Sequence, residues 1–361
     1  MGVQAKYGLL LRRLLLWPAT AVYGGILHLR HALYDLGLLT STRPTVPTIA
    51  VGNLSLGGTG KTPHVELILR SLEGFSPLAA LSRGYGRKGT GFQEVLSDDT
   101  AVKSGDEPLQ IVRKFPQVRV FVGADRVNAV AAITAKVPDV KAVVLDDALQ
   151  HRSLNAGLNI LLTTWTKPFS NDALLPAGTL RDLRGRARAA GMVIVTKCPG
   201  PPNEVEQQKW RTRLHLKPEQ VLYFSAIAYD APTWLLPTEG FVPVGQGVSA
   251  LLFTGIADPD PLAMHARTLW GRVDHLAFPD HHPFSPSDLR RLAGLFSSFA
   301  AGPKVLVTTE KDAMRLRSVI AGSPLEGLPI AVIGMRVEIL NEPEHFASLL
   351  RDHVDPNPAH R

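Results

Sequence analysis

Residues 55–62, Ser-Leu-Gly-Gly-Thr-Gly-Lys-Thr, stand between an apolar, β-branched run at 45–51 and a segment with apolar residues at helical spacing. That second segment places Val65, Leu67, Ile68, Leu69 and Leu72 on one face. Strand, glycine loop, Lys-Thr and helix form the context of a phosphate-binding loop. Gly57, Gly58 and Gly60 let the backbone turn its N–H groups inward, where side chains would block a polyphosphate. The helix N-terminus adds its dipole. Lys61 can reach the β- and γ-phosphates, and Thr62 can bind Mg²⁺. Residues 55–62 as a whole (Ser55, Leu56, Gly57, Gly58, Thr59, Gly60, Lys61, Thr62) are therefore read as the nucleotide cradle of an ATP-using enzyme. Ser55 departs from the strict motif, which has Gly there. The competing reading is a glycine-rich turn before an ordinary helix.

A chain of 361 residues exceeds one ordinary core and suggests two domains. Its lone cysteine, Cys198, excludes an internal disulfide. The net charge of +7 is local rather than general. Residues 1–45 carry Lys6, Arg12, Arg13, Arg30 and Arg43 against Asp35 alone, and Arg181, Arg184, Arg186 and Arg188 oppose only Asp182. No broad nucleic-acid-binding surface follows from that pattern, and no protein partner is indicated.

Residues 8–39 are leucine-rich and basic, with Trp17, Tyr23 and Tyr34 interleaved. The uncharged run 14–27 is shorter than the roughly 18–20 residues that span a bilayer. An amphipathic helix lying in the membrane interface, cations toward anionic headgroups, fits this composition. A signal peptide ending near Ala19-Thr20-Ala21, a transit peptide, and a helix packed on the core are the alternatives.

Beyond the loop, buried-strand runs at 77–81, 118–122, 142–145, 158–163 and 192–196 alternate with helical patterns. This rhythm predicts a mostly parallel sheet with helices on both faces, an α/β fold of the P-loop NTPase type. Pro-Gly-Pro-Pro-Asn at 199–203 is a break. A second series, with strands at 250–254, 275–278, 305–308 and 330–333, predicts a smaller α/β lobe. The expected division is an N-terminal helical segment (1–43), a P-loop core (44–229) and a C-terminal lobe (230–361), with a frayed tail from Asp355.

The run Ala142-Val143-Val144-Leu145 ends in Asp146, a carboxylate placed to hold Mg²⁺ beside the phosphates. Asp147 follows and points elsewhere. Residues 82–87 follow a strand and contain Arg83. Gly105-Asp106-Glu107-Pro108 can open a helix, where plain capping is the competing role. Asp125-Arg126 begins another helix, with a surface ion pair as the default. Gln150-His151-Arg152 follows the aspartates closely enough to share their site. In residues 278–284, adjacent His281 and His282 on an extended segment point apart, which disfavours a metal site. One histidine acting with a carboxylate could instead receive a hydroxyl proton during phosphoryl transfer.

In order along the chain, these clusters resemble the tetraacyldisaccharide 4′-kinases of lipid A biosynthesis. The resemblance rests on Val51-Gly52-Asn53, residues 57–63, residues 82–87 and Gly105 to Pro108, then on Asp146-Asp147 with Gln150-His151. Residues 174–178 with Leu180-Arg181, then Asp280-His281 and Thr309-Glu310-Lys311-Asp312, complete it. It implies two α/β lobes and a membrane-associating N-terminal helix. It also implies ATP- and Mg²⁺-dependent phosphorylation of the 4′-hydroxyl of a tetraacylated glucosamine disaccharide 1-phosphate, giving lipid IVA at the cytoplasmic face of the bacterial inner membrane. On this resemblance Lys61 and Thr62 bind ATP and Mg²⁺, Asp146 is the metal carboxylate, and Asp106 is the general base tuned by His281. Arg83, Arg126, Asp147, His151 and Arg181 fall at positions tied to activity. Ala148-Leu149 and Asp182-Leu183 depart from the family's Gly-aromatic and Glu-Pro pairs, which affects the acceptor pocket rather than the ATP chemistry. A membrane-associated P-loop switch without a lipid acceptor is the competing function.

Overall fold

The computed structural model describes residues 3–236, 239–299 and 301–355, with side chains from Leu15 onward. The first helix, α1 (Val3–Asp35), runs through Pro18. It leads to β1 (Thr48–Asn53) and α2 (Lys61–Ser71). The chain continues through β2 (Leu78–Ser82), β3 (Gln93–Val95), α3 (Ala101–Ser104), α4 (Asp106–Lys114), β4 (Val118–Val122) and α5 (Arg126–Lys136). Next come β5 (Ala142–Asp146), β6 (Leu158–Thr164), β7 (Met192–Thr196), α6 (Glu204–Leu214) and β8 (Val221–Tyr229). A second series holds β9 (Thr233–Trp234), β10 (Gly245–Thr254), α7 (Asp260–Leu269), β11 (Trp270–Ala277), α8 (Pro286–Ser297), β12 (Lys304–Thr309), α9 (Glu310–Leu316) and β13 (Ile330–Ile333). The chain then returns through β14 (Met335–Ile339) and α10 (Pro343–Val354).

The larger sheet has the order β14-β8-β7-β6-β1-β5-β2-β4-β3 and is parallel except for its two edge strands. Every residue of β1, β2, β5 and β7 is buried, because helices cover both faces. That is why these strands read as unbroken apolar runs in the sequence. On one face α2, α4 and α10 pack through Val65, Ile68, Leu69, Ile111, Phe346 and Leu350; on the other α5 packs through Ala129, Val130 and Ile133. The smaller sheet, β11-β10-β12-β13-β9, is parallel except for β9, with α8 and α9 against one face and α7 against the other.

The C-terminal boundary differs from expectation. Residues 335–354, assigned by sequence to the smaller lobe, rejoin the larger one. Met335 to Ile339 pair antiparallel with β8, and Phe346, Leu350 and Val354 enter the larger lobe's core. The alternating pattern continued without a break signal, so the crossing at Gly334 left no mark in composition. The chain passes between lobes at Asp230 and at Gly334, where the Asp230 N–H donates to the Gly334 carbonyl at 2.9 Å. Arg336 pairs with Asp230 beside it.

The N-terminal helix is packed and apolar at once. Its inner face presents Tyr23, Gly24, Leu27, Arg30 and His31 to the larger lobe, while Leu15, Trp17, Val22, Ile26 and Leu29 are exposed. Outward apolar residues reverse the polarity usual for a surface helix. The expectations for the side chains of Lys6, Arg12 and Arg13, and for the tail beyond Asp355, lie outside what is described. Among the described residues no helix is long and apolar enough to cross a membrane.

Because Phe346 is 1% exposed within the larger lobe's core, Phe346→Ala is expected to destabilise that lobe by about 3–5 kcal/mol. Urea unfolding followed by far-UV circular dichroism reads the change, and an unshifted midpoint would remove α10 from that core.

Candidate active site

The parallel register sets Val51 of β1 opposite Asp146 of β5, so the phosphate loop and the carboxylate emerge together at the carboxyl ends of adjacent strands. Open α/β sheets bind ligands at this edge. Gly57 and Gly60 adopt φ of 115° and 84°, a region that favours glycine. Asn53 braces the loop from within, its side-chain amide donating to Thr59 Oγ1 at 3.0 Å. The first limb is tied to the segment before Arg181: Ser55 bridges Leu180, and the Leu56 N–H donates to the Thr179 carbonyl at 2.7 Å. Ser55 thus occupies a strand-like position with no need for the glycine of the strict motif.

Past β5 the two aspartates diverge. Asp146 is buried and its Oδ1 has no hydrogen-bond partner. Burial, with the charges of Glu107 and Asp147 nearby, pushes its carboxyl well above the ordinary carboxylate range. An unsatisfied buried oxygen at a phosphate loop suits a cation, whose charge would reverse that shift. Thr62 stands in the first turn of α2, at the end of the phosphate loop. Asp147 takes a left-handed backbone, φ 51°, which turns it toward Arg181 and Lys61. Arg181 Nη1 donates to its Oδ2 at 3.0 Å, and Lys61 Nζ stands 3.8 Å from the same oxygen. Burial opposes ionisation of Asp147, but the Arg181 bond and the Lys61 charge outweigh it and hold the carboxyl low. Arg181 also donates to Asn53 Oδ1 at 2.5 Å.

Arg126 corrects its expected role. It is 1% exposed and makes no surface ion pair; it donates to the Asp146 carbonyl at 3.0 Å and to the Gly123 carbonyl. Asp125 instead caps α5, accepting from the Val127 and Asn128 N–H groups at 3.1 Å. Burial pushes the Arg126 guanidinium down to about 10, against the pull of Asp146 and Asp147. Half-buried His151 is lowered by burial and by the charges of Arg126 and Arg83. Exposed Arg83 therefore lies within electrostatic reach of both.

Asp106 and His281 meet across the lobes. Gly105, at φ 89°, starts α4, so that Asp106 stands at its first position. Its Oδ1 accepts the Glu107 N–H at 3.0 Å, and its Oδ2 lies 3.0 Å from His281 Nδ1. Gly105, not Asp106, is the N-cap, and no side chain caps the helix, so plain capping does not account for Asp106; its contact with the Glu107 N–H and its pairing with His281 use separate oxygens. Lys311 Nζ lies 3.1 Å from His281 Nε2. An ammonium only donates, so in the neutral ring Nε2 accepts and the proton sits on Nδ1, facing Asp106. Burial works against the Asp106 carboxylate, but the His281 bond and the Lys311 and Arg315 charges hold it below the usual range. His281 is raised by its bond to Asp106, against burial and Lys311. The two histidines diverge as expected, His282 reaching Asp288 at 3.0 Å. They do so from a turn with His281 at φ 58°, not from an extended segment.

A cleft of about 500 Å³ joins these parts. The phosphate loop, Glu107, His281, Glu310 and Lys311 line it together with the apolar Ile227, Tyr229, Ile256 and Leu262, and Lys311 pairs with Glu107 at 3.2 Å. Asp106, Asp146, Arg126, Arg181 and His151 stand outside this lining; Asp106 reaches it through His281, and Asp147 with Arg181 through Lys61. Sequence reasoning had no role for Asn53, Glu107 or Arg315. Asn53 and Glu107 lay inside quoted motifs beside stronger candidates, and Arg315 carried no motif at all. Among the described residues there is no cluster of three or more His, Cys, Asp or Glu side chains suited to a metal, so a cation here would share Thr62, Asp146 and phosphate oxygens.

The family model for tetraacyldisaccharide-1-P 4′-kinase matches residues 12–355. A tetraacyldisaccharide 4′-kinase of Bacteroides fragilis (strain YCH46) is 40% identical over 353 residues, covering 95% of this chain and 93% of its own. That of Flavobacterium johnsoniae is 37% identical, covering 96% and 98%. The crystal structure of LpxK from Aquifex aeolicus in complex with ATP superposes with a TM-score of 0.71 at 25% identity, over 95% of this chain and 99% of that one. On its sequence, fold and site, the chain belongs to the tetraacyldisaccharide 4′-kinase family.

Proposed function

We propose that the protein transfers the γ-phosphoryl group of ATP to the 4′-hydroxyl of a tetraacylated glucosamine disaccharide 1-phosphate, the lipid A precursor, to give lipid IVA. The observation that carries this reading is the cleft in which the phosphate loop faces His281, itself hydrogen-bonded to Asp106. The acyl-sugar acceptor follows from the relatives' names.

Lys61, only loosely paired with Asp147, is free to neutralise phosphate charge as it develops. Thr62 and Asp146 would hold Mg²⁺, which supplies charge neutralisation on the phosphates when bound. Asp106 accepts the proton of the attacking hydroxyl. The Nδ1–H of His281 orients its carboxylate, and Lys311 holds that tautomer in place. Because transfer is largely dissociative, a base weaker than usual suffices. Arg83, His151 and Arg181 surround the acceptor side and serve the anionic sugar phosphate, while buried Arg126 holds the Gly123 and Asp146 carbonyls behind them; Asp147 orients Arg181. The exposed apolar face of α1 rests on the cytoplasmic leaflet, where the lipid acceptor resides.

Asp106→Asn is expected to lower kcat for labelled-phosphate transfer to the disaccharide in detergent by about 10²–10⁴, with the KM for ATP little changed. Hydrolysis of ATP indifferent to lipid, with no labelled product, would favour a nucleotide switch instead. The inter-lobe pair also titrates. His281 is raised, so its stabilising contribution is complete below its unfolded value and is lost as pH rises through the folded one. The difference in thermal midpoint between wild type and His281→Gln is therefore expected to shrink as pH rises above the ordinary imidazole value of about 6.5; a constant difference would exclude the ionic contribution. On α1, Val22→Glu with Ile26→Glu and Leu29→Glu should abolish co-sedimentation with anionic vesicles while leaving turnover in detergent near wild type. Unchanged sedimentation would rule out that face as the membrane contact.

A further inference from the structure

His64 is 1% exposed in the first turn of α2, one residue past Pro63, and both of its ring nitrogens are engaged. Nδ1 lies 2.7 Å from the Gly60 carbonyl oxygen, and Nε2 lies 2.9 Å from Ser225 Oγ. A carbonyl only accepts, so the proton sits on Nδ1, and Nε2 accepts from the Ser225 hydroxyl. The imidazole is neutral, with one tautomer selected. Its backbone N–H also donates to the Gly60 carbonyl, at 3.2 Å.

Gly60 is the left-handed residue immediately before Lys61. In a trans peptide the carbonyl and the following N–H point in opposite directions. Holding the Gly60 carbonyl on His64 therefore aims the Lys61 N–H away from α2, toward the phosphate cradle. Ser225 lies on β8, and Ile227 and Tyr229, two and four residues on, line the cleft. Alternation puts these three on one face of the strand. His64 thus joins the cradle to the strand that walls the rest of the cleft.

We propose that His64 is a positioning residue for nucleotide binding: it sets the Gly60–Lys61 peptide through Nδ1 and ties that peptide to β8 through Ser225. This inference rests on the assignment of the cleft to ATP. The test compares His64→Asn and His64→Gln in the full-length chain, titrating Mg-ADP calorimetrically and measuring the KM for ATP. The Asn amide can stand where Nδ1 stands and keep the Gly60 bond. The Gln amide, one methylene further out, reaches Ser225 but not Gly60.

His64→Asn is expected to bind ADP within about threefold of wild type, and His64→Gln about tenfold more weakly, the worth of one net hydrogen bond. The KM for ATP should move in step, with kcat at saturating ATP held within about twofold. A purely space-filling role predicts the reverse order, because Gln replaces more of the imidazole volume. Gln equal to or better than Asn, or both like wild type, therefore overturns the inference. A wild type that binds no ADP would overturn the nucleotide assignment and this inference with it. Ser225→Ala, which leaves the Gly60 bond intact, should fall between Asn and Gln; a loss larger than that of His64→Gln also overturns it.

Discussion

The parallel pairing of β1 with β5 is the constraint on which the site depends. Once Val51 lies opposite Asp146, the phosphate loop and the aspartate pair leave the sheet side by side, and the segment ending at Arg181 has to close over both. Asn53 is the joint between them. It braces Thr59 on one side and accepts from Arg181 on the other. The cradle's shape and Arg181 are therefore held by one buried amide. A polar group at that depth is tolerated because its donors and acceptors find partners.

The same edge explains why α1 is more than an appendage. Tyr23 donates to the Arg181 carbonyl at 2.8 Å, Arg30 to the Gln150 carbonyl at 3.0 Å, and His31 pairs with buried Asp182 at 2.6 Å. Gln150 in turn donates to the Asn53 carbonyl at 2.6 Å. The helix that presents Val22, Ile26 and Leu29 outward thus reaches, through its inner face, the loops that carry Gln150 and Arg181. Asp182, one of the residues departing from the family pattern, is the partner of His31. Leu149, another, packs against Gly52, where a Cβ would stand 2.7 Å from its Cγ.

Between the lobes the polar contacts are concentrated near α2, α4 and α9. Fully buried Glu66 accepts from Gln110 at 2.7 Å and pairs with Lys114 at 3.0 Å, and Lys114 reaches Glu310 at 3.0 Å. Burial raises the Glu66 carboxyl against the pull of Lys114. A buried charge with several partners contributes little net stability but tolerates few alternative arrangements. Lys311 with Glu107 and His281 with Asp106 extend the same seam to the cleft. The phosphate-loop helix and the wall facing it are consequently set by one connected network.

Much of this was legible in the chain itself. The strands at 192–196 and 330–333 match their runs residue for residue and are buried throughout, because strands covered on both faces are almost wholly apolar; the strand at 118–122 also matches, with Arg119 only half-buried and paired with Glu94. The phosphate loop was legible for a similar reason: its chemistry is backbone chemistry, and backbone conformation is written in glycine. The structure alone decided what depends on distance in space. Arg126 read as a surface residue because its partners are carbonyls of Gly123 and Asp146, and carbonyls have no sequence signature. Strand β8 and the return of β14 to it were missed for want of punctuation, since a one-residue crossing at Gly334 alters no pattern. That Asp106 and His281, 175 positions apart, share one hydrogen bond is likewise a product of two lobes closing on each other. Local sequence specifies which elements form; which side chains meet is settled by packing, where each long-range contact depends on all the others.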